Sequence, residues 1–309
     1  MSALARLLIR RIGLLIALLA TVFLVVDLLP GNTARAILGR DATPEQIAAK
    51  ERELGLDRPV AARFWHWISG VATGDFGHTA RGRSINELLA AKFPPTLLLG
   101  GLALAVTVLA SLGLGAWWAA RGGSALGRIL QPATTVAVAI PEFVLATLLI
   151  LVFALGLGWL PAVTITGRSG FPVHPEMVVL PVLALALPQI GWNTRVVRAA
   201  LADAARAPHV ESAALDGLST RVVLLRHVLP FALPTIVASY ATTVGVLLGG
   251  SLVVETLFNY PGLGAVLAGS VADRDTSVVA AVVAVSGTVI MVMLALADGI
   301  RAWSLRGSR

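Results

Sequence analysis

Apolar runs long enough to cross a bilayer recur along this chain, and short polar segments separate them. The first run, 12–29, follows Arg6, Arg10 and Arg11 and is broken only by Asp27. Between Lys92 and Arg121, 28 residues pass without a charge, and about 20 apolar residues are enough for a helix to span. Further runs cover 131–156 (interrupted by Glu142), 177–194, 231–254 and 278–297. Backbone polar groups in lipid must be satisfied within the segment, so runs of this length predict helices and not open strands. The pattern predicts an all-α integral membrane protein of six transmembrane helices. The first run has a second reading, as a secretory signal with Ala34-Arg35-Ala36 as its cleavage site. Its length favours an uncleaved span.

One stretch, from residue 30 to about 92, is polar and too interrupted to span. Three helix starts are legible in it. Thr43-Pro44-Glu45-Gln46 combines a cap, a proline at the first helical position and a capping-box glutamine, and Gly55 closes that helix. Pro59 opens a second helix, which carries Phe64, Trp65 and Trp67 and reads either as lying at the outer leaflet or as part of a self-packed subdomain. Ser84-Ile85-Asn86-Glu87 is a capping box for a third, which leads through Phe93-Pro94-Pro95 into the second span. The expected organisation is a tail and first span (1–30), an extracytoplasmic loop with short helices (31–92) and a transmembrane core (93–309).

Composition agrees with the pattern. Of 309 residues, 57% are hydrophobic and 13% charged, and the mean hydropathy of +0.84 excludes an ordinary soluble domain. Cysteine is absent, which removes disulfides and thiolate metal sites from consideration. The five histidines (His66, His78, His174, His209, His227) lack ligand spacing, so no metal site is expected. A net charge of +7 allows a nucleic-acid partner or a positive-inside bias. The positions decide between them. Arg6, Arg10 and Arg11, then Arg121 and Arg128, then five arginines between 195 and 226, then Arg301, Arg306 and Arg309 all fall on one side of the six-span arrangement. The short loops of the other side hold only Arg168 and Arg274. Both termini and the 195–230 loop are therefore expected in the cytoplasm, with no nucleic-acid partner.

Within that loop, residues 208–234 read as helix, glycine turn, helix. Glu211 suits the positive end of a first helix over 210–216, Gly217 can take the left-handed closing conformation, Ser219 or Thr220 can cap a second helix over 221–229, and Pro230 is expected to end it. Val210, Ala213, Ala214, Leu218, Val222 and Leu225 are expected on one grooved face, with Asp216, Arg221 and Arg226 in water. A DNA-reading helix–turn–helix has a similar length. The flanking membrane-grade runs exclude it.

Glu211-Ser212-Ala213, Gly217 six residues after the glutamate, and Leu229-Pro230 resemble the EAA loop of bacterial ABC import permeases. Ser212 stands for the pattern's alanine and His227 for its isoleucine. The segments 28–39 (LLPGNTARAILG), 42–60, 74–79, 140–146, 157–162 and 253–264, with Arg274-Asp275, are similar to the dipeptide, oligopeptide and nickel branch of the same permeases. Asn32 departs from the aspartate usual there, and Glu211 is kept where the branch often lacks it. The resemblance implies a type I importer fold in which the 208–230 loop is a coupling helix, with Glu211, Ser212, Ala213, Asp216, Gly217, Arg221 and Pro230 docking to an ATPase. It also implies a second, homologous permease, two ATPase subunits carrying ATP and Mg, an extracytoplasmic binding protein and a bacterial inner-membrane location among lipids. Peptides are the cargo expected, with nickel or another small solute as the alternative.

The chain's own chemistry is consistent with a transport subunit and not an enzyme. A Walker A loop needs Gly-Lys-Ser/Thr, and the only lysines, Lys50 and Lys92, each follow alanine. No nucleophile–base or metal constellation supports a hydrolase. Charges inside a span are expensive and by default functional. Glu142, about fourteen residues in from Arg128, is expected near the midplane, either on the translocation path or serving backbone freed by Pro141. Gln189 and Asn193 share a face of the fourth span and read either as path-lining groups or as interhelical partners. Asp27, Glu255 and Asp298 are expected at the interfaces. An ion-coupled secondary transporter using Glu142 is the alternative of a different class, but no internal repeat supports it.

Overall fold

The computed structural model describes residues 3–28, 33–39, 41–121 and 124–306, and these are helical apart from loops and two isolated β-bridges. Asn32 and Arg309 lie outside the described residues. In chain order the helices are α1 (Ala3–Leu28), α2 (Thr33–Leu38), α3 (Pro44–Glu53), α4 (Val60–Ala72), α5 (Ile85–Ala120), α6 (Ala125–Ala139) and α7 (Glu142–Leu149), which passes into a π-helical segment, Ile150–Gly156. There follow α8 (Glu176–Ala205), α9 (Pro208–Leu215), α10 (Thr220–Val223), a π-helical turn (Leu224–Val228), α11 (Leu229–Leu257), α12 (Leu263–Asp273) and α13 (Thr276–Arg306).

Among the described residues, five helices are long and apolar enough to cross a membrane, and the pair α6–α7 counted as one span makes the six expected. That third span is not straight. Its halves meet at 104° across Ile140-Pro141, because proline cannot donate to the preceding turn and forces the residue before it out of the helical region. The depth inferred for Glu142 from a straight helix does not carry across this bend. A second correction concerns Pro230, which does not end a helix. The π-helical turn ahead of it displaces the carbonyl that its ring would strike, so α10, the turn and α11 run on as one span, Thr220–Leu257. The short helix α12, after the Asn259-Tyr260-Pro261-Gly262 turn, was not anticipated.

The chain divides into two compact units. One comprises Met1–Thr96 and Pro261–Met291. In it Phe23 of α1 packs its ring against Phe64 and Trp67 of α4, at 5.6 and 5.7 Å between centroids, and Asp27 pairs with Arg63. The self-packed reading of α4 therefore holds for Phe64 and Trp67, while Trp65 stays exposed. Thr43 and Gln46 make both halves of the capping box at α3, and Gly55 turns the chain at φ +65°. Only one half of the box forms at α5, Glu87 N–H to Ser84 Oγ at 3.4 Å. Asp275 draws the loop ahead of α5 to the start of α13 by accepting from the Ala80 and Val278 amides, at 2.6 and 3.2 Å. Burial pushes its carboxyl above the usual aspartate range, and those amide bonds pull it partly back.

The other unit comprises Leu97–Tyr260 and Val292–Arg309. Its centre is α8, which packs against α11, α6 and α7. Glycine permits the closest approaches: a Cβ on Gly191 would stand 2.9 Å from the Thr134 carbonyl of α6, and one on Gly115 of α5 would stand 2.7 Å from Val197 of α8. Leu99, Leu180, Leu185, Leu247, Val254 and Phe258 fill the core between these helices. Glu255, expected at an interface, is wholly buried in it, because the end of α11 is covered by the loop whose Thr164 amide donates to the Phe258 carbonyl at 2.8 Å.

Candidate functional site

Two regions of the second unit hold the residues singled out in the sequence. The first is the 208–230 loop. Pro208 occupies the first turn of α9, Glu211 lies in that turn and faces solvent, and Asp216 caps the other end. Gly217 follows at φ +78°, with its amide donating to the Ala214 carbonyl at 3.1 Å and the Leu218 amide to the Ala213 carbonyl at 3.3 Å. This pair of bonds is a Schellman closure, and it needs a left-handed residue at the glycine. The chain then reverses into α10, where Ser219 is the N-cap residue but makes no side-chain capping bond.

The face expected to be grooved is divided. Val210 and Ala213 are buried against Val197 and Leu201 of α8 and against Val223, Val228, Ala232 and Ile236. Ala214, Leu218 and Leu225 instead face outward, beside Leu215, which is 81% exposed. The reason is period: α9 has only two turns, so one stripe anchors it while the opposite stripe stays free. Arg221, Arg226, Asp216, Ser212 and Pro230 are exposed. His209 ties the two arms together, with its Nε2 3.0 Å from the His227 carbonyl and its ring 4.5 Å from that of Phe231. The loop is thus seated on α8 and α11, with a leucine-bearing outer face.

The second region is a cavity of about 410 Å³ at the break in the third span. Its walls are residues 138–142 of the α6–α7 junction, Pro188, Gln189 and Trp192 of α8, and Thr242, Thr243 and Val246 of α11. Glu142 and Gln189, far apart in sequence, therefore line one space. Glu142 is half-buried and leans on α11, its side chain 3.6 Å from where a Cβ on Gly250 would stand. The third sequence candidate, Asn193, lies behind the wall, fully buried. Its Nδ2 donates to the Gln189 carbonyl (2.8 Å) and to Thr243 Oγ1 (2.9 Å), and its Oδ1 accepts from Ser239 Oγ (2.7 Å). This network joins α8 to α11. Thr242, Thr243, Ser239 and Trp192 were not singled out beforehand. The signal was present in the polar run Ser239-Tyr240-Ala241-Thr242-Thr243 inside an otherwise apolar span, but hydroxyl residues are common in such helices.

A membrane helix broken beside a half-buried acid, and a loop seated on the two neighbouring helices, make up the candidate site, and comparison with known proteins gives the family. Residues 111–309 match the family described as binding-protein-dependent transport system inner membrane component, and residues 3–94 match the N-terminal part of the same class of proteins. The chain belongs to this family and is the permease of an ABC importer. Among its relatives, the glutathione transport system permease protein GsiC of Salmonella typhimurium is 37% identical over 279 residues, 88% of each chain. The GsiC of Escherichia coli K12 is 35% identical over 261 residues, 84% of this chain and 83% of the relative. The crystal structure of an amino acid ABC transporter with histidines aligns at 19% identity with a TM-score of 0.49, over 68% of this chain and 90% of that one.

Proposed function

We propose that this permease forms half of the path by which a small peptide enters the cell. The observation that carries the reading is the cavity at the α6–α7 break that Glu142 and Gln189 line together, in a member of this family. The peptide cargo is supported by relatives named for transport of glutathione, a tripeptide. The 208–230 loop acts as the coupling element: its anchored stripe holds it to α8 and α11, and its free stripe of Leu215 and Leu218, with Glu211 and Arg221, meets an ATPase subunit. Closure of two ATPases around ATP and Mg would move the loop as a rigid body, and α8 and α11 with it. A second, homologous permease completes the path, and residues 31–92 face an extracytoplasmic binding protein. The arginine distribution supports cytoplasmic termini.

The test is uptake of labelled glutathione, a labelled dipeptide, a longer peptide and nickel by cells with and without the gene. Loss of peptide uptake alone is expected. Loss of nickel uptake alone would remove the peptide reading and keep the permease. Uptake of peptide that survives depletion of ATP but collapses with the ion gradient would remove the coupling to ATPases.

A further inference from the structure

Hydrogen-bond acceptors gather around Glu142 in this cavity. Thr242 Oγ1 gives its proton to the Ser239 carbonyl at 2.7 Å, which leaves only lone pairs to face the exposed side. Thr243 Oγ1 also donates to the Ser239 carbonyl, at 3.0 Å, and accepts from Asn193, so it has no proton to offer either. Glu142 as a carboxylate is an acceptor only. Gln189 brings an amide that both accepts and donates, and the Trp192 indole N–H is a donor, so the acceptors gather around Glu142 and Thr242 and not over the whole wall.

The backbone points the same way. The last residues of α6, Val138 and Ala139, line the cavity, and the final carbonyls of a helix carry its partial negative charge. Pro141, the residue that follows the break, has no N–H to give them. The opposite pole is the start of α7, which would ordinarily attract an anion. Glu142 itself sits in that first turn and meets the positive end with its own charge. A broken helix in a transporter offers either an anion site or a cation site. Here an acid of the chain itself already stands in that first turn and disfavours a second anion. Trp192, 48% exposed on the wall, adds an aromatic ring, whose face also favours a cation.

We propose that this cavity receives a primary ammonium group, held by the Glu142 carboxylate with Thr242 Oγ1 and the α6 carbonyls as further acceptors. For a peptide cargo, the group is the free N-terminal amine. This identification of the ligand rests on the peptide reading above; the preference for a cation does not. The permease thus reads one end of its cargo itself, apart from whatever its binding protein selects.

The experiment uses the importer complex in lipid nanodiscs, with equilibrium binding of labelled Ala-Ala-Phe-amide, whose only charge is the amine, and of its neutral N-acetyl counterpart. The wild type is expected to bind the free amine roughly tenfold more tightly, the size of one hydrogen bond to a charged group. Glu142→Gln is expected to abolish the difference and Glu142→Asp to retain most of it. Thr242→Val, close in shape, should reduce it a fewfold, which keeps a test available if Glu142→Gln does not assemble. Equal binding of the two probes by the wild type, or an unchanged preference in Glu142→Gln, would overturn the proposal. Uptake of the same peptides by cells separates the two readings. Peptide uptake without an ammonium preference removes the site and leaves the cargo, whereas a preference without peptide uptake removes the cargo and leaves a site for another amine.

Discussion

The first span and α8 are both membrane-grade helices, yet they are opposites in environment. The apolar window of the first span has a mean hydropathy of 2.3 and is 17% buried, whereas that of α8 has 1.4 and is 72% buried. The less hydrophobic helix is the more enclosed. In water the order would be reversed, since burial follows apolarity. In a bilayer the tails are as apolar as leucine, so nothing drives leucine inward, and helices associate through close packing of small residues and through hydrogen bonds. The first span exposes Leu14, Leu18 and Val25, whereas α8 approaches α6 at Gly191 and α5 at Val197, opposite Gly115, and bonds to α11 through Asn193.

Four substitutions test this contrast, in order of falling effect on stability. Gly191→Val places a branched side chain 2.9 Å from the Thr134 carbonyl and should cost about 3 kcal/mol, read as loss of folded protein in detergent melting. A variant that melts like the wild type would mean that α6 and α8 are not in fixed contact. Asn193→Leu removes three hydrogen bonds between and along α8 and α11 while adding hydropathy, and about 1–2 kcal/mol should be lost. Gain of stability there would reverse the lesson drawn from α8. Gly217→Val meets open space but must hold φ near +78°, at a local cost of about 1–2 kcal/mol. Insertion should be normal and uptake absent; normal uptake would remove the loop from the mechanism. Val25→Ala, on the exposed side of the first span, should shift stability by less than about 0.5 kcal/mol. A large loss would place Val25 in a packed interface.

Much of the loop was legible because its signals are local. A glycine at the end of a short amphipathic run predicts a left-handed closure, and Gly217 supplies it. The cap at Thr43 was legible for the same reason. Pro230 was misread because the same residue type that bends the third span at Pro141 is absorbed by a π-helical turn ahead of α11. Whether a proline breaks a helix depends on whether the preceding turn can widen, and that is settled by the packing of Val223 and Val228 against α8 and α9. Glu255 was placed at an interface from its distance along α11, but the loop that holds Thr164 covers the end of that helix.

Apolar run length and the order of motifs along the chain determine a helical membrane permease, since each depends only on near neighbours or on transfer from water to lipid. Which polar residues of the spans share a space was decided by the tertiary structure alone. Glu142 and Gln189 meet because a 104° bend turns α7 toward α8. Asn193, one turn from Gln189, is drawn into the α8–α11 contact instead, because a helix presents residues four apart to the same neighbour only while that neighbour runs alongside.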